Sequence, residues 1–276
     1  IDKVKFFVFI FFRCPYTDLI GEFIKLAKEM NKVVLFDIDD LVIDKKYTDQ
    51  IKYLMTLSHE EKINYDDGVN RIQQTLRLCD GAITTTERLA EELKNYVPEV
   101  FINRNTASER MVQLSEIEIY YRDILPYLDK DKLETRKLKF EYNSAKKSLD
   151  ERKKHGTRLG YFSGSITHND DFNMIIPVIC KLMDEFNSLE LHVVGELDIP
   201  LELEAYRERI ITRGFVSWEE LPHLIASVDI NLAPIEESIF NEAKSENKWI
   251  EAALVKVPTV SSRVGAFGTF TNAASI

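Results

Sequence analysis

Short apolar runs alternate with segments of helical periodicity along the first hundred residues. Strands are predicted at 4–12, 33–37, 81–86 and 100–105, because each is a run of apolar or β-branched residues between polar ones. Between them, segments such as 18–30 carry apolar residues at every third or fourth position, which predicts helices. Alternation of strands and helices predicts a parallel sheet with helices packed on its faces.

The alternation of predicted strands and helices starts again after a charged, helix-favouring stretch. Strands are predicted at 158–165, 189–195, 210–216, 229–235 and 258–262, and the helices between them include 242–255 and one that starts from a capping box at Ser217 and Glu220. The expected fold class is α/β, with two tandem Rossmann-like doubly wound parallel-sheet domains. We assign 1–154 to an amino-terminal domain whose residues from about 107 to 154 form a helical insertion and linker, and 155–276 to a carboxyl-terminal domain. We expect the chain to be incomplete at both ends.

Composition narrows the class of protein. The formal net charge of the 276 residues is −10, and no stripe of Lys and Arg is present, so we expect no nucleic-acid partner. The three cysteines are far apart, lack metal-ligand spacing and are interpreted as buried thiols of a reducing compartment. No apolar run reaches the ~20 residues of a membrane helix. We expect a cytoplasmic protein.

Three acidic residues lie at the end of the predicted strand in VVLFDIDDLVID and just after it: Asp37, Asp39 and Asp40. Phosphohydrolases of the haloacid dehalogenase class open with a similar strand, Asp-x-Asp, Gly and a hydroxyl residue. Asp37 and Asp39 fit as nucleophile and proton carrier, but Asp40 replaces the Gly and Leu41 the hydroxyl residue. A magnesium-dependent phosphohydrolase is kept as an alternative, but two of its pattern positions fail, and acids at the end of a strand more often cap the next helix or bind loop amides.

The stretch GYFSGSITHND predicts an anion site. A buried strand ends in Ser163, Gly164 and Ser165, and a helix begins soon after. Gly164 lets the backbone approach a ligand, the serines offer hydroxyls, and the helix start offers free amides, which together suit a diphosphate. An ordinary capped turn explains the same residues. His168 follows the loop and is a further candidate ligand.

A second constellation lies in FNEAKSENKWIEAALVKVPTVSS. Lys244, Lys248 and Glu251 are spaced to share one face of the predicted helix. A glutamate facing a cleft can accept both hydroxyls of a ribose, and lysines on that face can neutralise phosphate charge. A solvated helix with i,i+4 pairs is the alternative interpretation.

From these motifs, with LELHVVGEL and RGFVSWEELPHLIASVDINLAPI, the half from Arg158 to Gly265 resembles the donor-binding domain of group 1, retaining GT-B glycosyltransferases. FDIDDLV, CDGAITTTERLAEELK and VFINRN are similar to their acceptor-side domain. The resemblance implies that Glu251 binds the ribose, and that Lys248 with the 163–165 loop holds the diphosphate. It also places Ser245 among the donor ligands and the loop of Gly214, Phe215 and Val216 near the base.

The resemblance further implies that Asn241, Glu242 and Lys244 lie near the transferred sugar. The candidates for catalysis are Glu242, Lys244 and His168. The family pattern has a second glutamate at the position of Ala243, and Glu242 stands one place away. The family's arginine in the diphosphate loop is also missing here.

The resulting expectation is a glycosyltransferase that moves a sugar from a nucleotide-diphosphate sugar to a glycan or lipid-linked acceptor in surface polysaccharide synthesis. Asp37, Asp39 and Asp40 are then acceptor-side candidates. We expect no metal and no cofactor besides the nucleotide-sugar substrate, and peripheral association with the inner face of the membrane is left open. A noncatalytic nucleotide-binding fragment is a second alternative.

Overall fold

The computed structural model describes residues 6–154, 156–164 and 169–271. The strands in these residues form two parallel sheets. In chain order they are β1 (Val8–Phe12), β2 (Val33–Asp37), β3 (Gly81–Thr84), β4 (Glu99–Ile102), β5 (Arg158–Phe162), β6 (Glu190–Val194), β7 (Ile210–Arg213), β8 (Ile230–Ala233) and β9 (Thr259–Ser261).

Helices connect the strands. The α-helices are α1 (Asp18–Glu29), α2 (Lys45–Thr48), α3 (His59–Leu78), α4 (Glu87–Leu93), α5 (Glu109–Ile119), α6 (Arg136–Lys154), α7 (Asn169–Asn173), α8 (Ile176–Glu185), α9 (Leu221–Ala226), α10 (Ile239–Glu242), α11 (Asn247–Leu254) and α12 (Gly265–Thr271). A π-helical turn spans Tyr120–Ile124, and 3-10 turns span Lys52–Met55, Leu125–Tyr127, Lys130–Lys132 and Leu201–Arg209. No helix in the described residues is long and apolar enough to cross a membrane.

The first compact unit takes its described residues from Ile1–Asn105, Glu236–Glu246 and Arg263–Ile276. Its sheet has the order β1-β2-β3-β4, so the described strands follow the order of the chain. Phe36 of β2 is fully buried in its core. Helix α1 starts from a side-chain cap at Thr17, whose hydroxyl accepts the Ile20 N–H at 3.3 Å.

The second unit takes its described residues from Thr106–Ile235 and Asn247–Ser262. Its sheet has the order β7-β6-β5-β8-β9 with every pair parallel. The chain builds outward from β5 to β7 on one side and then returns to add β8 and β9 on the other. This reversal between β5 and β8 is the mark of a doubly wound sheet. Two tandem parallel-sheet α/β units confirm the predicted fold class.

The compact units divide the chain differently from the boundary drawn at 154. Residues 106–154 pack with the second unit, where α5 contacts α9 and Arg152 pairs with Asp229 at 2.7 Å. Conversely, the segment Glu236–Glu246 packs with the first unit, and Ala243 enters its core with 1% exposure.

Two helix predictions are wrong. The helix expected to start from Ser217 starts at Leu221 without a side-chain cap, because Pro222 fits only in a first turn and sets the helix start just before it. The helix expected over 242–255 is interrupted between α10 and α11, since Ala243 and Glu246 are buried in the first unit.

Candidate functional site

The carboxyl edge of the second sheet carries the candidate site. Strands β5 and β8 are neighbours there, and the strand order reverses between them, which opens a crevice outside their carboxyl ends. The loop after β5 begins with Ser163, which is 8% exposed, and Gly164, where a Cβ atom would meet nothing within 4 Å. Of the other predicted loop ligands, Ser165 and His168 lie outside the described residues.

Gly195, directly after β6, fixes the position of this loop. Its φ is +118°, and a Cβ atom built on it would lie 1.8 Å from the Ser163 carbonyl oxygen. The Ser163 N–H also donates to the Val194 carbonyl at 2.8 Å. The two loops therefore touch through their backbones, and only glycine fits at 195. This requirement was not predicted, although a glycine that directly follows a buried strand is a usable signal.

Helix α11 brings Lys248 and Glu251 to the same unit. Its first turn is tied to the sheet by Asn231 of β8, which is 2% exposed. The Asn231 Nδ2 donates to the Lys248 carbonyl and to the Thr259 Oγ1, each at 3.1 Å. A buried amide with both partners in place holds the helix start rigidly against β8 and β9.

The Lys248 ammonium lies over an aromatic ring. Its Nζ is 4.6 Å from the ring centroid of Tyr161, a fully buried side chain of β5. Because Tyr161 lies two residues before Ser163, the lysine is held close to the start of the β5 loop. A positive charge at the carboxyl edge of a parallel sheet suits an anionic ligand.

Glu251 is a partly buried carboxyl one turn further along α11. Burial raises its pKa to about 6, and the nearby charge of Lys248 opposes that rise. A carboxyl with a raised pKa beside a lysine is typical of a functional site rather than of a solvated helix face. The structure thus brings Lys248 and Glu251 together on one helix.

Lys244, which was expected on the same face as Lys248 and Glu251, is not part of α11, so that prediction is wrong. The helix starts only at Asn247, because the preceding segment Glu236–Glu246 follows the first unit.

The loop after β7 supplies the residues expected near a base. Phe215 is 69% exposed, and a Cβ atom at Gly214 would meet nothing within 4 Å. Val216 packs against an apolar cluster that contains residues of α9 and α11, which anchors the loop. Since β7 is two strands from β5, this loop starts roughly 10 Å along the edge from the β5 loop. An exposed aromatic ring there is available for stacking.

The remaining donor-side candidates belong to the first unit. Ser245 accepts a hydrogen bond from the Asn105 Nδ2 at 2.8 Å, and the Arg88 Nε donates to Glu242 at 3.0 Å. Both candidates lie on the segment Glu236–Glu246, which packs with the first unit.

The acids at the end of β2 and just after it also lie in the first unit, around an arginine. Arg13 has a φ of +43° and pairs with Asp39 at 2.6 Å and with Asp40 at 3.1 Å. Burial raises the pKa of Asp40, against the opposing charges of Arg13 and Lys244. Burial and the charge of Asp39 also raise the pKa of Asp37. The three predicted acids and Lys244 thus form one charged cluster.

No group of three or more His, Cys, Asp or Glu side chains arranged to hold a metal ion occurs in the part of the chain that the structure describes.

Residues 157–273 match the family "Glycosyl transferases group 1". No curated protein sequence matches the chain significantly.

Three solved structures are similar to this chain. WaaG, a glycosyltransferase involved in lipopolysaccharide biosynthesis, superposes with a TM-score of 0.52 at 12% identity, over 91% of this chain and 65% of that one. An α,α-trehalose-phosphate synthase (UDP-forming) from Burkholderia xenovorans gives 0.52 at 9% identity, over 95% and 60%. TarM gives 0.48 at 13% identity, over 92% and 40%. The chain thus spans 40–65% of the length of these proteins.

Proposed function

We propose that the chain, whose residues 157–273 match the group 1 glycosyltransferases, moves a sugar from a nucleotide-diphosphate sugar to a glycan or lipid-linked acceptor. One observation carries the proposal. On α11, a lysine whose Nζ lies 4.6 Å from a buried tyrosine ring precedes, by one turn, a carboxyl whose pKa is raised to about 6. A cation and an acceptor of hydrogen bonds at that spacing suit a diphosphate and the ribose next to it.

In this proposal the diphosphate, the ribose and the base of the donor each have a partner in the second unit. Lys248 and the backbone of the Ser163–Gly164 turn bind the diphosphate, and Glu251 accepts hydrogen bonds from the ribose hydroxyls. Phe215 stacks on the base. The open position at Gly164 favours close approach of a phosphate, because a side chain there would stand between the ligand and the amides.

Catalysis in this proposal comes from stabilising the leaving group. As the glycosidic bond to the diphosphate breaks, negative charge grows on the diphosphate and positive charge on the sugar. Lys248 stabilises the first of these charges. The reaction retains the anomeric configuration, as the family resemblance implies. Glu242, Lys244 and His168 stay candidates for contacts to the transferred sugar, and Asp37, Asp39 and Asp40 for the acceptor side.

The phosphohydrolase alternative is weakened by the first unit's own contacts. Asp39, which would have to carry the proton, is held by Arg13 at 2.6 Å. This pairing occupies a carboxylate oxygen that the proton transfer would use. The family match supports transfer and offers no support for phosphate hydrolysis.

Release of nucleoside diphosphate from a panel of nucleotide sugars tests the proposal, with water or a glycan as acceptor. Lys248→Ala is expected to reduce the rate at least about tenfold, because it removes a charge-assisted contact to the leaving group. Asp37→Asn should have the smaller effect. Lys137→Ala is the matched control, since its ammonium is on α6 and the side chain is 85% exposed.

The phosphohydrolase hypothesis predicts the opposite order of effects for these two substitutions. Under that hypothesis, the chain hydrolyses phosphate esters with magnesium, Asp37→Asn abolishes turnover and Lys248→Ala is harmless. Observation of that pattern would remove the transferase proposal.

A further inference from the structure

A fully buried tyrosine lies beneath the candidate diphosphate site. Tyr161 of the central strand β5 has no exposed surface, although its hydroxyl must find a partner in the core. The hydroxyl is in hydrogen-bond contact with the Ser163 side chain, and the charge of Asp171 lies nearby. Phe172 packs against the ring with 4.7 Å between centroids. Contacts with Phe172 at the ring and with Ser163 at the hydroxyl therefore fix the position of the ring.

The face of this ring is covered by Lys248. The ammonium lies 4.6 Å from the ring centroid, within the range in which the negative face of an aromatic ring attracts a cation. A lysine side chain has several rotatable bonds and can therefore adopt many conformations. Contact with a ring that cannot move restricts these conformations, so the ammonium is held at one place before a ligand arrives.

The same tyrosine thus touches both diphosphate ligands of the second unit. Tyr161 and Ser163 are two residues apart in an extended stretch, so their side chains lie on one face of the sheet. The ring contacts the ammonium, and the hydroxyl contacts the serine. Neither contact is available to an aliphatic residue at 161, although an aliphatic residue is what a central buried strand usually has.

We propose that Tyr161 is a positioning residue that holds Lys248 and Ser163 in the arrangement that binds the donor diphosphate. The inference rests on the proposed function of this site and adds to it a residue that contacts no substrate. Positioning of this kind improves binding because the ordering of the lysine is complete before the ligand binds. The effect should appear only for ligands that carry the phosphates.

Calorimetric titration of the 276-residue chain with UDP, GDP and ADP, and with the matching nucleosides, tests the inference. Tyr161→Leu removes the ring and is expected to weaken binding of the preferred nucleoside diphosphate about 5- to 30-fold. Its affinity for the nucleoside should change by less than about twofold. Tyr161→Phe keeps the ring face and should stay within about threefold of the wild type.

A double-mutant cycle with Lys248→Ala separates positioning from general damage to the core. In the Lys248→Ala background, Tyr161→Leu should weaken diphosphate binding by less than about twofold, because no ammonium remains to be held. Should Tyr161→Leu prevent folding, as judged by circular dichroism, Tyr161→Met provides a flexible side chain without a ring for the same cycle.

The titrations distinguish failure of the positioning role of Tyr161 from failure of the donor site. Equal losses for nucleoside and nucleoside diphosphate, or full additivity in the cycle, would overturn the positioning role while the donor site stands. Binding of the diphosphate by the wild type with no change in Tyr161→Leu would have the same meaning. If the wild type binds none of the three diphosphates, the proposed function fails first and the positioning role fails with it.

Discussion

Glu251→Gln should stabilise the protein and weaken donor binding at the same time. The pKa of Glu251 is raised by burial from 4.5 to about 6 in the folded chain. Its charged form is therefore less favourable in the folded state than in the unfolded state. Because the folded state binds the proton more tightly, stability falls as the pH rises through the interval between those two values. The amide of glutamine has no charge to bury and removes this penalty.

The gain in unfolding free energy on Glu251→Gln follows from the size of the pKa shift of Glu251. A rise from 4.5 to about 6 corresponds to about 2 kcal/mol of unfolding free energy above pH 6. The difference between Glu251→Gln and the wild type should be close to zero below pH 4.5. It should grow through the interval and level off near pH 7.

The affinity of Glu251→Gln for a nucleoside should fall, although its stability rises. A carboxylate accepts hydrogen bonds from ribose hydroxyls more strongly than an amide does, so the affinity for a nucleoside should fall about tenfold at pH 8. A residue whose replacement stabilises the fold and impairs binding is kept for its chemistry, as functional sites commonly require. Loss of affinity without a gain in stability would instead indicate ordinary structural damage.

Tryptophan fluorescence is the assay for the stability half of this prediction. The two tryptophans of the chain, Trp218 and Trp249, both belong to the second unit, so their signal in urea reports on the unit that contains Glu251. Glu185→Gln is the matched control, because this glutamate of α8 is exposed. A gain that is independent of pH, or an equal gain in the control, would refute the reasoning about burial.

The remaining predictions concern loop backbone, helix attachment and a surface ion pair. Gly195→Ala should destabilise the second unit by about 2–5 kcal/mol in urea, since its φ is +118° and the new methyl group overlaps the β5 loop, whereas Gly164→Ala should stay within about 0.5 kcal/mol. Asn231→Ala should lower the unfolding free energy by about 1–3 kcal/mol, and an unchanged value would show that its two hydrogen bonds do not hold α11. Glu118 raises the pKa of His223 through a hydrogen bond, so the contribution of this pair is present below pH 6.5 and is lost as the pH rises. His223→Gln should accordingly lower the melting temperature more at pH 5.5 than at pH 8.5, and an equal change at both would contradict the pairing.

Elements with strong local signals could be predicted from the sequence. The strand at 33–37 was placed at its observed limits, because a short apolar run between polar residues has few other ways to bury its side chains. The sequence offers Thr17 and Asp18 as candidates to cap α1, and Thr17 is the cap. In both cases the information lies within a few residues of the element itself.

Features that depend on the folded arrangement could not be predicted. The break between α10 and α11 follows from burial of Ala243 in the first unit, and nothing in the local periodicity reports a contact with residues more than a hundred positions away. The capping box at Ser217 has the correct residue types, yet Pro222 decides where the helix starts.

In the candidate site, too, some residues could be predicted from local sequence signals and others depend on the folded arrangement. Lys248 and Glu251 could be found from spacing and family resemblance, and the structure brings them together on α11. Tyr161 and Asn231 could not be found, because each is a buried residue on a strand whose importance lies in what it touches. A tyrosine or asparagine within a buried strand is nevertheless a signal, since its polar atoms require partners there.

Calorimetric titration of the wild-type chain with UDP, GDP and ADP, each beside its nucleoside, tests the central claim most directly. A nucleotide-sugar site built around Lys248 predicts that at least one diphosphate binds, and that its nucleoside binds about tenfold or more weakly, because the phosphates meet the ammonium and the loop amides. A nucleotide-sugar site at Lys248 is contradicted if none of the three diphosphates binds, or if diphosphate and nucleoside bind equally well.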